Sequence, residues 1–274
     1  MPSIDRILRI SAYPEPLRVR LVRELAKRFR LGSYANRLAI EAVERPFYGW
    51  CVYSAALQAK ALGHRAITVV EMGVAGGNGL LALCDHADEV FRATGVSVRV
   101  FGFDAATGLP ASDDPRDLPY AWPAGLFRMD VERLKKRIRN RAELRLGDVV
   151  RTLTEFRPEP SAPLGAVMFD LDLYTSTARA LAILDAEHRI PRVWCWFDDI
   201  IGSPDNLYCE RNGERAAIAE YNSAHSDAML SPAHCSFERS IPRYWHQQIY
   251  IDHRFSHPQY SQCLSAAPHE LPLS

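Results

Sequence analysis

Four short apolar runs end in glycine or in acids, and segments of helical period separate them. The runs are AITVVEMG (66–73), VSVRVFGFD (96–104), GAVMFDLD (165–172) and RVWCWFDD (192–199). Uninterrupted apolar runs of this length suit strands buried on both faces of a parallel sheet. The segments 47–64, 79–95, 131–144, 151–156, 177–188 and 211–224 read as helices. Strand–helix alternation implies right-handed βαβ units and an α/β, doubly wound, mostly parallel sheet with helices on both faces. HQQIYID (246–252) is expected to add an antiparallel edge strand.

Ligands of such sheets bind at the carboxyl ends of the strands, so the residues there carry the functional reading. The first run leads into Glu71-Met72-Gly73-Val74-Ala75-Gly76-Gly77-Asn78-Gly79. Glycines let the chain turn sharply and approach a ligand, and the N–H groups opening the next helix can receive an anion. The spacing is neither the GxGxxG of dinucleotide sites nor the GxxxxGK[ST] of nucleotide hydrolases. Asp104 closes the second run, where an acid can accept both hydroxyls of a ribose. Asp170, Asp172, Asp198 and Asp199 close the third and fourth. Four carboxylates on the edge of a buried sheet repel one another, which raises their pKa values or demands a cation. Mg²⁺, a hard ion with oxygen ligands, meets that demand. Some of these acids could instead cap helices, as Asp172 could before the helical segment that follows it.

The rest of the chain narrows the class. Lysine plus arginine and aspartate plus glutamate are 33 each, so formal net charge is zero and a general nucleic-acid partner is disfavoured. No apolar run approaches the length of a membrane span, and no secretory signal is evident. The six cysteines form no CxxC pair, which points to free thiols in a reducing cytoplasm. Residues 1–40 carry nine basic and three acidic residues, among which Leu17, Val19, Leu21, Val22, Leu25 and Phe29 approximate helical spacing. That helix is expected to pack its apolar side on the domain or on a second subunit, and a homo-oligomer is expected. Residues 105–126 hold Pro110, Pro115, Pro119 and Pro123 and read as a long functional loop, whose Tyr120 and Trp122 could stack on a substrate ring or latch the loop to the domain. His253, His257 and Tyr260 either fold over the site as a lid or pack on the surface. The chain thus divides into an N-terminal helical extension (1–64), a ligand-binding domain (65–252) and a tail (253–274).

Glu71-Met72-Gly73 with Gly77, Gly102-Phe103-Asp104 followed by Gly108-Leu109-Pro110, Asp170-x-Asp172-x-Tyr174-x-Ser176-Thr177, and Asp198-Asp199 together resemble class I S-adenosylmethionine-dependent methyltransferases. Within these the chain is most similar to the macrocin O-methyltransferase family, over about Glu71 to Tyr221. The resemblance implies a Rossmann-like, seven-stranded methyltransferase fold and metal-dependent methylation of a small-molecule hydroxyl, such as one on a sugar of a natural product. It implies that Glu71, Gly73 and Gly77 line the methionine part of S-adenosylmethionine, that Asp104 holds the ribose and that Asp148 lies on the adenine side. It makes Asp170, Asp198 and Asp199 ligands of Mg²⁺ and Asp172 the general base. Two alternatives are a metal-independent methyltransferase and a non-catalytic cofactor-binding subunit of a biosynthetic complex. The chain departs from the family at Gly76, Arg151 and Ile200 and in the loop 112–126.

Overall fold

In the computed structural model, residues 16–235, 243–262 and 264 are described. Cys263 and the outermost parts of the N-terminal extension and the tail lie outside these. In chain order the elements are α1 (Leu17–Phe29), α2 (Tyr34–Ala39), α3 (Pro46–Ala61), β1 (Ala66–Met72), α4 (Asn78–Thr94), β2 (Ser97–Asp104), α5 (Val131–Ile138), β3 (Glu143–Leu146), α6 (Val149–Thr154), β4 (Leu164–Phe169), α7 (Tyr174–Ala180), β5 (Arg189–Phe197), α8 (Gly213–Ala224), β6 (Ala228–Pro232) and β7 (Ile249–Arg254). The seven strands form one sheet in the order β3-β2-β1-β4-β5-β7-β6. All pairings are parallel except those of β7, which runs antiparallel to β5 and β6. Helices cover both sides of the sheet, α3 packing on α4 and α8 on α7.

The central strands are apolar because both faces are covered. Every residue of β4 is buried. Phe169 and Phe197 stack across β4 and β5 with ring centroids 4.7 Å apart, and Trp196 stacks on Phe47 of α3 at 4.6 Å. Burying each such ring stabilises the fold by roughly 1.5–3 kcal/mol.

Several elements differ from the sequence reading. The helix expected over 131–144 stops at Ile138, because Arg139 and Asn140 both take left-handed φ. Residues 143–146 then pair with β2 as β3. The HQQIYID segment is not an edge strand: 244–248 form a 3₁₀ turn, and β7 lies inside the sheet with β6, which the pattern did not reveal, outside it. The described part of the tail forms no lid. His253 Nδ1 lies 2.9 Å from the Tyr260 hydroxyl and His257 Nε2 lies 3.0 Å from the Arg189 carbonyl, at the amino end of β5 and away from its terminal acids. Helix α1 also surprises. It buries Ala26 and half-buries Arg23, whereas Leu17, Leu21, Val22, Leu25 and Phe29 are exposed, so its apolar side does not pack on the domain. No described helix is long and apolar enough to cross a membrane. The described cysteines are free thiols.

His86 ties the N-terminal helices to α4. Its Nε2 lies 3.2 Å from the Arg45 carbonyl, which can only accept, so Nε2 carries the hydrogen and Nδ1 accepts from the Tyr34 hydroxyl at 2.9 Å. Burial pushes the His86 pKa down from 6.5 to about 4. The folded protein therefore binds this proton less readily than the unfolded chain. The stability it contributes is complete above about pH 6.5 and is lost as pH falls toward about 4. The unfolding free energy of the wild type relative to His86→Gln is expected to shrink by about 3 kcal/mol between pH 7 and pH 4. Urea titrations at both pH values check this, and a constant difference would show that His86 titrates alike in both states.

Candidate active site

Strand order reverses between β1 and β4, so the connections leaving their carboxyl ends diverge and open a crevice. A cleft of about 930 Å³ fills it. Glu71, Gly73, Gly77, Asp104, Asp148, Asp170, Asp172, Asp198 and Asp199, separated by up to 128 positions in sequence, all line this cleft.

Glu71 ends β1 with 1% exposure. Its Oε1 accepts a 2.9 Å hydrogen bond from the Tyr48 hydroxyl of α3, while Oε2 is buried with no partner. Burial, and next the charge of Asp170, pushes its pKa well up. A Cβ at Gly79 would stand 1.8 Å from Oε1, so only glycine leaves room for this carboxyl under the first turn of α4. Gly73 has φ +86°, and a Cβ there would meet the Asp170 carbonyl at 1.7 Å. At Gly77 a Cβ would fall 2.1 Å from Leu134 of α5.

Asp104 and Asp148 have structural partners as well. Asp104 Oδ2 accepts from the Val74 and Ala75 amides at 2.8 Å each and Oδ1 from Ala106 at 2.6 Å, so the carboxylate locks the glycine turn against β2. Asp148 caps α6 through Oδ1, which accepts from the Val150 and Arg151 amides. In both, one oxygen keeps lone pairs for a ligand.

The remaining four acids follow β4 and β5. Asp170 and Asp172 lie just past the end of β4, and Asp198 and Asp199 open the 3₁₀ turn after β5. Asp170, Asp198 and Asp199 each offer an oxygen, and the three lie within 4.8 Å of one another. An all-oxygen, all-anionic set of this kind fits a hard divalent cation. Burial first, then the Asp198 and Asp199 charges, holds Asp170 well above the usual carboxylate range. Burial, then Asp172 and Asp198, does the same to Asp199. Asp172 stands beside the cluster with φ +59° and 7% exposure. Its amide donates to Asp199 Oδ2 at 3.1 Å, and Leu173, not Asp172, is the N-cap of α7. Burial, then Asp170 and Asp198, lifts its pKa to about 7.

Sequence reasoning missed the residues that hold this cluster. Glu214 of α8 is fully buried, and its Oε2 accepts from the Asp199 amide at 2.8 Å. Tyr208 donates to Asp199 Oδ1 at 3.1 Å and accepts from Trp122 Nε1 at 3.2 Å. Tyr120 donates to the Asn206 carbonyl at 2.7 Å, so it latches the long loop, whereas Trp122 lines the cleft. Buried Asp117 accepts from the Ser112 hydroxyl and from the Thr175 amide and hydroxyl, pinning the same loop to α7. A buried strand-end Glu71 signals that some donor must exist, but nothing local marks Tyr48 as that donor.

No family model matches the chain, and no curated protein matches it. Solved structures do. A calicheamicin methyltransferase shares 18% identity over 94% of this chain and 95% of its own, with a TM-score of 0.50. The chain has the Rossmann-like methyltransferase fold. Two weaker likenesses carry no argument of their own. One is the apo form of that protein, a TDP-rhamnose 3′-O-methyltransferase of calicheamicin biosynthesis, at 19% identity, 94% and 97% coverage and TM-score 0.43. The other is TomG from Streptomyces achromogenes, an O-methyltransferase of tomaymycin synthesis bound to S-adenosylmethionine, at 14%, 92% and 95%, and 0.42.

Proposed function

We propose that the protein is an S-adenosylmethionine-dependent, Mg²⁺-assisted O-methyltransferase acting on a small-molecule hydroxyl, a sugar hydroxyl being the favoured acceptor. The observation that carries this is the placement of Asp170, Asp198 and Asp199 in one cleft with the glycine turn of β1 and with Asp172. Glu71, with its unpartnered buried oxygen, would receive the cofactor's amino-acid end, Asp104 the ribose and Asp148 the adenine side. S-adenosylmethionine would supply an electrophilic methyl group, and Asp170, Asp198 and Asp199 would hold a hard cation that would lower the pKa of an acceptor hydroxyl.

The chain's own work is alignment and proton removal. Asp172, in the cleft beside the three acids, takes the hydroxyl proton on its carboxylate. Trp122 and Phe127 from the long loop give the cleft an aromatic wall for a ring-shaped acceptor. The loop's ties to Asn206, Tyr208 and Thr175 hold that wall beside the acids.

Calorimetric titration with S-adenosylhomocysteine, with and without Mg²⁺, tests the reading. Micromolar binding is expected to the wild type and to Asp170→Ala. A Mg²⁺-dependent rise in thermal midpoint is expected for the wild type alone, since a bound ion stabilises the folded state by mass action. A folded wild type that ignores S-adenosylhomocysteine would refute the methyltransferase reading. An equal Mg²⁺ response in Asp170→Ala would refute the metal site.

A further inference from the structure

Arg45 has no role in the readings above, yet it lines the cleft. It precedes α3 and holds φ +41°, ψ +64°, a left-handed conformation that non-glycine residues rarely keep. Its carbonyl accepts from His86 Nε2 and from the Tyr48 amide, so the backbone around it is fixed. The guanidinium lies over the Tyr48 ring, 5.2 Å from the centroid, and the hydroxyl of that same tyrosine reaches Glu71. Arg45 bears electrostatically on Glu71, Asp170 and Asp198, but its guanidinium makes no hydrogen bond or ion pair among the described residues. The molecule therefore holds a positioned cation at the β1 end of the cleft with its donors unspent.

The charge of the cleft says what it lacks. Eight acidic side chains and two arginines line it. The second arginine, Arg179, is exposed on α7 and also borders a separate groove beside Val150 and Leu153, toward the Asp148 side. The acids can receive an ammonium or a metal ion, but a ligand carboxylate entering this field is repelled unless a cation meets it. Guanidinium matches a carboxylate in shape and donor spacing.

On the S-adenosylmethionine reading, on which this step rests, the cofactor's amino-acid end carries one ammonium and one carboxylate. We propose that Arg45 receives that carboxylate, its guanidinium held in place by the Tyr48 ring, while the unpartnered oxygen of Glu71 faces the ammonium. The chain before the sheet thereby completes the cofactor site, and the left-handed turn at Arg45 aims the guanidinium.

The test compares two ligands on the full chain by calorimetry. S-adenosylhomocysteine carries the amino-acid end, and 5′-methylthioadenosine lacks it. Arg45→Gln is expected to weaken S-adenosylhomocysteine about 10- to 100-fold, the loss typical of a charge-assisted contact. Its affinity for 5′-methylthioadenosine is expected to stay within about twofold, which also shows that the variant is folded. Arg45→Lys, retaining charge without the fork, is expected to recover part of the loss. Equal weakening of both ligands, or no weakening of either, overturns the proposal. A wild type that binds 5′-methylthioadenosine and S-adenosylhomocysteine equally overturns it too, while leaving the methyltransferase reading intact. A wild type that binds neither overturns both.

Discussion

Asp172→Asn is expected to lower methyl transfer by about 10²- to 10⁴-fold, the range a positioned general base contributes. Methyl transfer to a panel of sugar hydroxyls that the wild type accepts, with S-adenosylhomocysteine affinity measured in parallel, checks it. Asparagine is nearly isosteric and cannot take a proton. It also tolerates left-handed φ, so the +59° backbone at this position survives the change. The amide bond to Asp199 Oδ2 survives as well, because the backbone supplies it. The substitution removes a carboxylate whose charge raises the pKa of Asp199, so the fold is expected to become no less stable. Affinity for S-adenosylhomocysteine should hold if, as proposed, Asp172 serves the acceptor and not the cofactor. Unchanged turnover would remove Asp172 from the base role, and lost cofactor affinity would move it to the cofactor site.

Gly73→Ala is expected to be the most damaging single methyl group in the protein. The added Cβ would stand 1.7 Å from the Asp170 carbonyl oxygen, a main-chain atom that cannot swing aside. Asp170 is itself held to β1, its amide donating to the Met72 carbonyl at 2.9 Å, and the Gly73 amide donates to Phe103 at 2.9 Å. Relief therefore means prising β1 from β4, which moves Asp170 away from Asp198 and Asp199. Left-handed strain and overpacking together are expected to cost about 2–6 kcal/mol in urea unfolding. Gly76→Ala is the control. Nothing lies within 4 Å of its added Cβ, so stability should change little. A Gly73→Ala protein as stable as Gly76→Ala would refute the steric account.

The core of this fold was legible because its signals are local. Strands covered on both faces must be apolar along their length, so 66–73, 165–172 and 192–199 announce themselves, and 96–104, exposed at its start, is still rich enough in valine and phenylalanine to show. Strands β3 and β6 do not. β3 is only half-buried and reads ELRL, and β6 carries exposed Met229 at the sheet's edge, so neither shows an apolar run. β7 was mistaken for an edge because periodicity records burial, not which neighbours a strand acquires. For α1 only one of the two expected partners is set aside, for a related reason: an apolar stripe says that a face is fit for burial, not that this domain covers it.

The sequence by itself determined the strand-end chemistry. A glycine turn after β1, one acid after β2 and four acids after β4 and β5 follow from where apolar runs stop, and a doubly wound sheet brings such ends to one edge. Tertiary structure alone decided how those residues are held. Tyr48 meets Glu71 across 23 positions, Asp199 meets Glu214 across 15, and Asp117 meets Thr175 across 58. It also decided that Arg45, unremarkable in sequence, shares a cleft with eight acids, its guanidinium making no hydrogen bond or ion pair among the described residues. The physical reason is that hydrogen bonds and charge–charge forces act through space over a few ångströms. Spacing along the chain limits which residues can share a strand end, but only packing determines which donors and charges surround it.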